Sequence, residues 1–218
     1  MTQSAESRKS MIETGPKAAS TVFLFAHGAG APMDSTFMET VAAGLAGYGI
    51  RVVRFEFPYM ASRRDGGKRR PPDRQPILIK TFIEAIETLC SPNTNLFIGG
   101  KSMGGRMATL LTADAEITGG NNIQGCVCFG YPFHAPGKPM GDRMDHFSAL
   151  SRPLLICQGT RDPFGGFEEF ATQQMPADTH VEWVEDGDHD LKPRKASGRT
   201  HAENIDFAIE TAANFMKT

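Results

Sequence analysis

The sequence predicts an α/β domain in three layers, a mostly parallel twisted sheet with helices on both faces. Three observations carry that prediction. Short apolar runs rich in β-branched and aromatic residues alternate with segments whose apolar residues recur every three or four positions. Turn-forming residues separate them, with 23 Gly and 14 Pro among 218 residues. No internal repeat interrupts the alternation, so helical crossovers lay their apolar faces on both sides of one sheet.

The elements follow in order. Thr21–Ala26 (TVFLFA) is a strand that ends at His27-Gly28-Ala29-Gly30. Residues 34–48 form a helix, with Asp34 or Ser35 as its cap and Phe37, Met38, Val41 and Leu45 at helical spacing. Residues 52–55 are the second strand, and the Pro-, Gly- and Arg-rich stretch 58–76 is a loop. Ile79, Phe82, Ile83, Ile86 and Leu89 mark a second amphipathic helix. Residues 95–98 are a strand, and a helix opens after Ser102. Strands follow at Ile123–Phe129, 154–158 and 181–184, and the last helix starts near His201. Residues 20–218 read as a single domain and 1–19 as a flexible tail.

Composition excludes several classes. Lys and Arg number 23 against 25 Asp and Glu, a net charge of −2, which lacks the basic excess of a nucleic-acid or membrane-surface binder. The four thiols Cys90, Cys126, Cys128 and Cys157 are too few for a disulfide scaffold and point to a reducing, cytoplasmic setting. Cys126 and Cys128 lie in an apolar run and read as strand residues rather than zinc ligands. The first twenty residues lack the apolar core of a signal peptide, and no apolar stretch is long enough to span a membrane.

The chemistry concentrates at Gly100-Lys101-Ser102-Met103-Gly104, a G-x-S-x-G sequence between a strand and a helix. Such a turn exposes its serine, and the small flanking residues avoid collision with the strand and helix beside it. The Met103 N–H, at a helix start, is one donor for a developing oxyanion. The second comes from the first glycine-rich loop, with Ala29 favoured and Gly28 and Gly30 as alternatives. A serine nucleophile needs a base and an acid in the order Ser, Asp, His. Asp162 and His189 both follow the ends of strands, where α/β sheets build their sites. Asp142 and Asp145 are alternative acids. His180 and His201 open a strand and a helix and are less well placed. His27 reads as a loop-ordering residue. With Gly28, Gly30, Tyr59, Phe133, His134 and Phe164 it makes a candidate substrate pocket.

Four segments together resemble the α/β-hydrolase superfamily: HGAGAPMDSTFM at 27–38, GGKSMGGRMA at 99–108, YPFHAPGKP at 131–139 and GDHDLKPRK at 187–195. Within it the chain is similar to a small cap-less branch related to testis-expressed hydrolase-like proteins and to a subunit of the non-specific-lethal chromatin complex. Dienelactone hydrolase is a more distant likeness. The resemblance spans residues 20–217. It implies an eight-stranded type of core trimmed at its start, no large cap domain, and Ser102, Asp162 and His189 in the triad positions. It says little about substrate. Chromatin-associated relatives make a catalytically inactive interaction module an alternative to an enzyme.

Other motifs fail on inspection. A phosphate-binding loop needs glycine where Asn95 stands. A dinucleotide fingerprint at Gly28 and Gly30, with Glu56 as the ribose acid, finds Met33 at its third glycine; an NAD(P)-binding oxidoreductase is the alternative it represents. A calcium loop at Asp186, Asp188 and Asp190 finds Leu191 and Ser197 where Gly and Glu are required. The expectation is therefore a serine hydrolase, a carboxylesterase acting through an acyl-enzyme on a small ester or thioester. It uses no metal or organic cofactor, and no nucleic acid or membrane partner is expected. Arg63, Arg64, Lys68, Arg69, Arg70 and Arg74, against Asp65 and Asp73, with Lys192, Arg194, Lys195 and Arg199, raise a basic rim that would attract an anionic substrate. The bland reading of the same residues is two solvated loops.

Overall fold

The computed structural model describes residues 11–64, 66–89, 91, 94–139, 141–170, 173 and 175–217. Asp65, Cys90 and residues 1–10 of the expected tail lie outside these. The described residues form one seven-stranded sheet, β1 (Ile12–Thr14), β2 (Thr21–Ala26), β3 (Arg51–Phe55), β4 (Asn95–Lys101), β5 (Ile123–Phe129), β6 (Leu154–Gly159) and β7 (Thr179–Val184). Their spatial order is β1-β3-β2-β4-β5-β6-β7. Only β1 runs antiparallel, pairing Ile12 with Arg54. The tail expectation is corrected there: three residues too short to signal a strand find their partners on the exposed edge of β3, and Glu13 also bonds Arg51.

Among the described residues seven helices cover the sheet: α1 (Thr36–Gly47), α2 (Pro58–Arg64), α3 (Gln75–Leu89), α4 (Met103–Thr112), α5 (Ala115–Gly120), α6 (Phe167–Phe170) and α7 (His201–Phe215). Two 3₁₀ segments, Asp142–Ala149 and Lys195–Ser197, lie in the connections. Among the described residues no helix is long and apolar enough to cross a membrane.

The strands read as continuous apolar runs because both faces are covered. On β2, Val22, Leu24 and Ala26 pack into one core with Leu78, Phe82 and Ile86 of α3 and Met107 and Leu111 of α4. Phe23 and Phe25 point the other way, toward Met38, Val41 and Leu45 of α1 and Ile205, Ile209 and Ala212 of α7. Each buried Leu, Ile or Phe contributes about 1.5–3 kcal/mol, so two such layers amply fix the sheet.

Two other expectations change. The loop at 58–76 contains α2, which opens on Pro58 in the first helical position. Its helicity depends on distant residues: Tyr59 N–H donates to Asp73 Oδ2 at 2.8 Å, and Tyr59 and Met60 are buried. Ser35 takes the N-cap position of α1, but its side chain makes no capping bond. Asp34 instead receives a two-pronged bond from Arg64 at 2.8 and 2.9 Å.

The strand order reverses at β2. From β2 the chain steps to β3 on one side and then returns to β4 on the other. The crevice at such a switch lies beyond the carboxyl ends of the two diverging strands. Here those ends are His27–Gly30 and Lys101–Ser102. α4 leaves β4 almost touching β2: a Cβ on Gly104 would lie 2.6 Å from the carbonyl oxygens of Ala26 and His27, and one on Gly100 would lie 2.5 Å from Gly104 C. Gly104→Val is therefore expected to destabilise the fold by about 3 kcal/mol, since rigid backbone surrounds the new methyl groups. Urea unfolding of the variant beside wild type measures this, and an unchanged midpoint contradicts it.

Candidate active site

Ser102 sits at the junction of β4 and α4 with φ 52° and ψ −115°, a left-handed backbone that a non-glycine residue adopts only under local constraint. Ser102 N–H donates to Phe129 O at 3.1 Å, and Ser102 O accepts from Arg106 N–H at 3.0 Å. The hydroxyl lies 2.8 Å from His189 Nε2. His189 Nδ1 lies 2.8 Å from Asp162 Oδ2. Residues from the ends of β4, β6 and β7 thus form one hydrogen-bonded row.

Asp162 is 1% exposed and fully bonded. Besides His189, its carboxylate accepts from Gln158 Nε2 at 2.9 Å and from Phe164 N–H at 2.8 Å. Because a carboxylate only accepts, His189 carries its proton on Nδ1, which leaves Nε2 free to accept from Ser102. Gln158, wholly buried, also accepts from Tyr131 N–H at 2.7 Å and donates to Gly165 O at 3.0 Å. The Phe164 ring lies over the His189 imidazole, centroids 4.3 Å apart. Asp142 and Asp145, the alternative acids, sit in the 3₁₀ segment Asp142–Ala149, and the carboxylate on His189 is Asp162's.

The three aspartates near His189 build its loop. Asp186 accepts from Arg194 N–H and Nε at 2.7 and 2.8 Å and pairs with Arg161 at 2.9 Å. Asp188 Oδ1 accepts from Asp190 N–H and Lys192 N–H at 2.9 and 3.0 Å. Asn204 of α7 donates to Leu191 O and Glu185 O at 2.9 Å each.

Lys101, next to Ser102, was absent from the sequence-based site. Its side chain is 9% exposed, donates Nζ–H to His189 O, and pairs with Asp190 at 3.2 Å. Its ammonium also lies 5.4 Å from the centroid of the Phe37 ring. Burial lowers its pKa, an effect opposed by the Asp190 carboxylate. One lysine thereby ties the serine turn to the histidine loop. A lysine closing an apolar strand was the available signal; nothing local marked Gln158.

The glycine-rich loop is held from behind. His27 is buried and its pKa is lowered, chiefly by desolvation. Its Nε2 accepts from Phe57 N–H at 3.1 Å, so its Nδ1–H donates to Gly28 O at 2.7 Å. Tyr59 Oη lies 3.2 Å from Gly28 O and 3.0 Å from Ala29 O. There are no cis peptides among the described residues, so the Ala29 and Gly30 N–H groups face away from those anchored carbonyls.

A cavity of about 320 Å³ opens over the row, lined by Gly28, Ala29, Gly30, Ser102, Phe164 and His189, with Phe37, Met38 and Lys101 among its other walls. Met103 begins α4, where an N–H has no acceptor one turn earlier. His27, Tyr59, Phe133 and His134 do not line this cavity, which corrects the pocket expectation for those four. His27 and Tyr59 are spent on the loop. Phe133 packs on Phe170 with centroids 4.1 Å apart, and His134 lies beside Glu169 at 2.8 Å.

The basic rim also changes character. Arg64 forks onto Glu56 and Asp34, and Arg70 pairs with Asp73 at 2.5 Å. Arg63 donates to Arg70 O at 2.8 Å, and Arg194 is taken by Asp186. No described residue of 63–74 lines the cavity. Glu56, the ribose acid of the dinucleotide alternative, is already bonded by Arg64 and by Met33 N–H.

This fold matches a known class. Residues 19–217 match the family model described as an alpha/beta hydrolase domain, and the chain belongs to that family. Among solved structures it is similar to a dienelactone hydrolase from Anabaena variabilis, with 21% identity, a TM-score of 0.68, and 92% of this chain and 88% of that one covered. It is also similar to an α/β serine hydrolase homologue from Coxiella burnetii, with 17% identity, a TM-score of 0.64, and 92% and 90% covered. A lid-less serine hydrolase from Xanthomonas campestris aligns at 16% identity, a TM-score of 0.60, and 94% and 87% covered. At these identities the likeness is one of fold.

Replacing Lys101 by Met leaves His189 O without its donor, while the Asp190 carboxylate, 69% exposed, returns to water. Lys101→Met is expected to lower stability by about 1–3 kcal/mol and to speed solvent exchange of the His189 Nδ1 proton. Urea unfolding and proton NMR measure the two effects. A variant with unchanged exchange would show that the lysine does not hold the loop.

Proposed function

We propose that this protein is a serine hydrolase, a carboxylesterase that cleaves a small ester or thioester through an acyl-enzyme. The observation that carries the reading is the row Ser102 Oγ, His189 and Asp162, each contact 2.8 Å. In the proposed cycle Ser102 Oγ attacks the substrate carbonyl carbon while His189 Nε2 takes the hydroxyl proton. Asp162, desolvated and held by Gln158, stabilises the imidazolium without accepting the proton. The carbonyl oxygen becomes an oxyanion held by the Met103 and Ala29 N–H groups. Collapse breaks the bond to the leaving alcohol or thiol, which receives the proton from His189. Water then repeats the sequence on the acyl-Ser102 ester, releasing the acid.

Several features support this assignment. The Ala29 peptide is pre-aimed by His27 and Tyr59, so little reorganisation accompanies charge development. The strained Ser102 backbone lifts its hydroxyl clear of the sheet. The buried free thiols of Cys126, Cys128 and Cys157 fit a reducing compartment, and we assign the protein to the cytoplasm. The narrower kinship with the testis-expressed branch rests on the four sequence segments alone.

A fluorophosphonate probe with intact-mass readout tests the reading. One adduct is expected on wild type and none on Ser102→Ala; no adduct on folded wild type would favour an interaction module. Asp162→Asn is expected to reduce kcat by about 10⁴-fold, because the amide favours the wrong imidazole tautomer, and steady-state ester hydrolysis measures it. Tyr59→Phe removes the hydroxyl behind the loop and is expected to lower kcat about tenfold with KM little changed. An equal rise in KM would instead assign Tyr59 to substrate binding.

A further inference from the structure

Beside the triad cavity lies a second hollow of about 560 Å³, between the first turns of α1 and α7. Ala31, Ser35, Phe37 and Asp190 line both hollows, so one continuous wall runs from Ser102 into the second compartment. Its apolar lining is made by Phe37 and Ile205, with the exposed Ala31 and Ala202 beside them. Phe37 is fixed from behind by the edge of Phe129, centroids 6.2 Å apart, and Ile205 belongs to the α7 core. The compartment is therefore built before a ligand arrives.

Its charges are carboxylates. Asp190 and Asp206 stand at its margin. The ring of His201 is used by Asp190 O, at 2.8 Å from Nε2. Among the described residues the one lysine or arginine lining either hollow is Lys101, already engaged by His189 O and the Asp190 carboxylate. An anionic group entering here would lose water without gaining a free cation.

Resting on the hydrolase reading, we propose that this hollow is the subsite for the uncharged apolar part of the ester, an aliphatic chain of medium length or an aromatic ring. This runs opposite to the anionic substrate that the chain's arginine-rich stretch suggests, since Arg64 and Arg70 are held by the protein's own carboxylates, Arg63 by the Arg70 carbonyl, and no described residue of 63–74 lines either hollow.

The test uses the full chain and two neutral ester series. One varies the acyl chain of p-nitrophenyl esters from acetate to hexanoate, and the other varies the alcohol of alkyl acetates from methyl to hexyl. In one series kcat/KM is expected to rise by up to about fourfold per methylene and at least tenfold overall. The longest ester of that series is expected to exceed its carboxylate-ended analogue at least tenfold. Ala202→Trp fills the hollow from an exposed position in the first turn of α7. It should erase the chain-length gain, costing the longest ester at least tenfold more than the shortest. Flat profiles in both series, preference for the carboxylate-ended ester, or an equal loss on short and long esters in Ala202→Trp would overturn the subsite. Turnover of the shortest ester no faster than by Ser102→Ala would instead overturn the hydrolase reading itself.

Discussion

Between the end of β2 and the first turn of α4 there is room for backbone and hydrogen, and for nothing larger. Gly104 faces the carbonyls of Ala26 and His27 at a distance that excludes a Cβ, and Gly100 faces the start of α4 in the same way. That contact draws the glycine-rich loop and the Ser102 turn to the same edge of the sheet. It also forces the abrupt change of direction that leaves Ser102 at φ 52°. Everything else at the site is arranged around this turn. The strain, about 1–3 kcal/mol for such a residue, is small against two packed apolar layers.

The remaining groups reach Ser102 from loops, and loops need anchors. His189 is held through its ring by Asp162, through its carbonyl by Lys101, and through its loop by Asp186 and Asn204. Asp162 is held by Gln158, and the Gly28–Ala29 peptide by His27 and Tyr59. Most of these anchors are buried, and several bond more than one partner at once: Asp162 takes His189 and Gln158, and Asp186 takes Arg194 and Arg161. Fixing donors and acceptors in advance avoids the cost of ordering them as charge develops.

Much of this was legible in the sequence, for identifiable reasons. β2, β5 and β6 are covered on both faces and so appear as apolar runs. The serine turn demands small residues at fixed spacing, which leaves a readable pattern. Its partners follow strand ends, which narrows the aspartate and histidine to few positions. What was not legible depends on contacts remote in sequence. α2 is folded by Asp73 and by burial of Tyr59, while its composition is that of a loop. Strand β1 exists only because β3 offers an edge. His27 and Tyr59 are near the site in sequence and space, but their side chains turn behind the loop, a direction that adjacency does not encode. Gln158 lies inside an apolar strand, where polarity alone says only that a partner exists.

Charge was the most misleading signal, and the structure explains why. An arginine-rich stretch near a strand end suggests anion recognition only if its guanidinium groups are free. Here Arg64 spans Glu56 and Asp34, Arg70 meets Asp73, and Arg161 and Arg194 share Asp186. Each pair is modest alone, since water and salt screen ion pairs near the surface. Together they fasten α2 and the histidine loop to the sheet edge. They leave the walls of the site to glycine, phenylalanine and alanine. The same cations that keep the loops in place are thus withdrawn from the substrate, and the one that stays at the cavity, Lys101, is spent on the histidine loop. On the proposed hydrolase reading, selectivity then falls to shape and apolar surface rather than to charge.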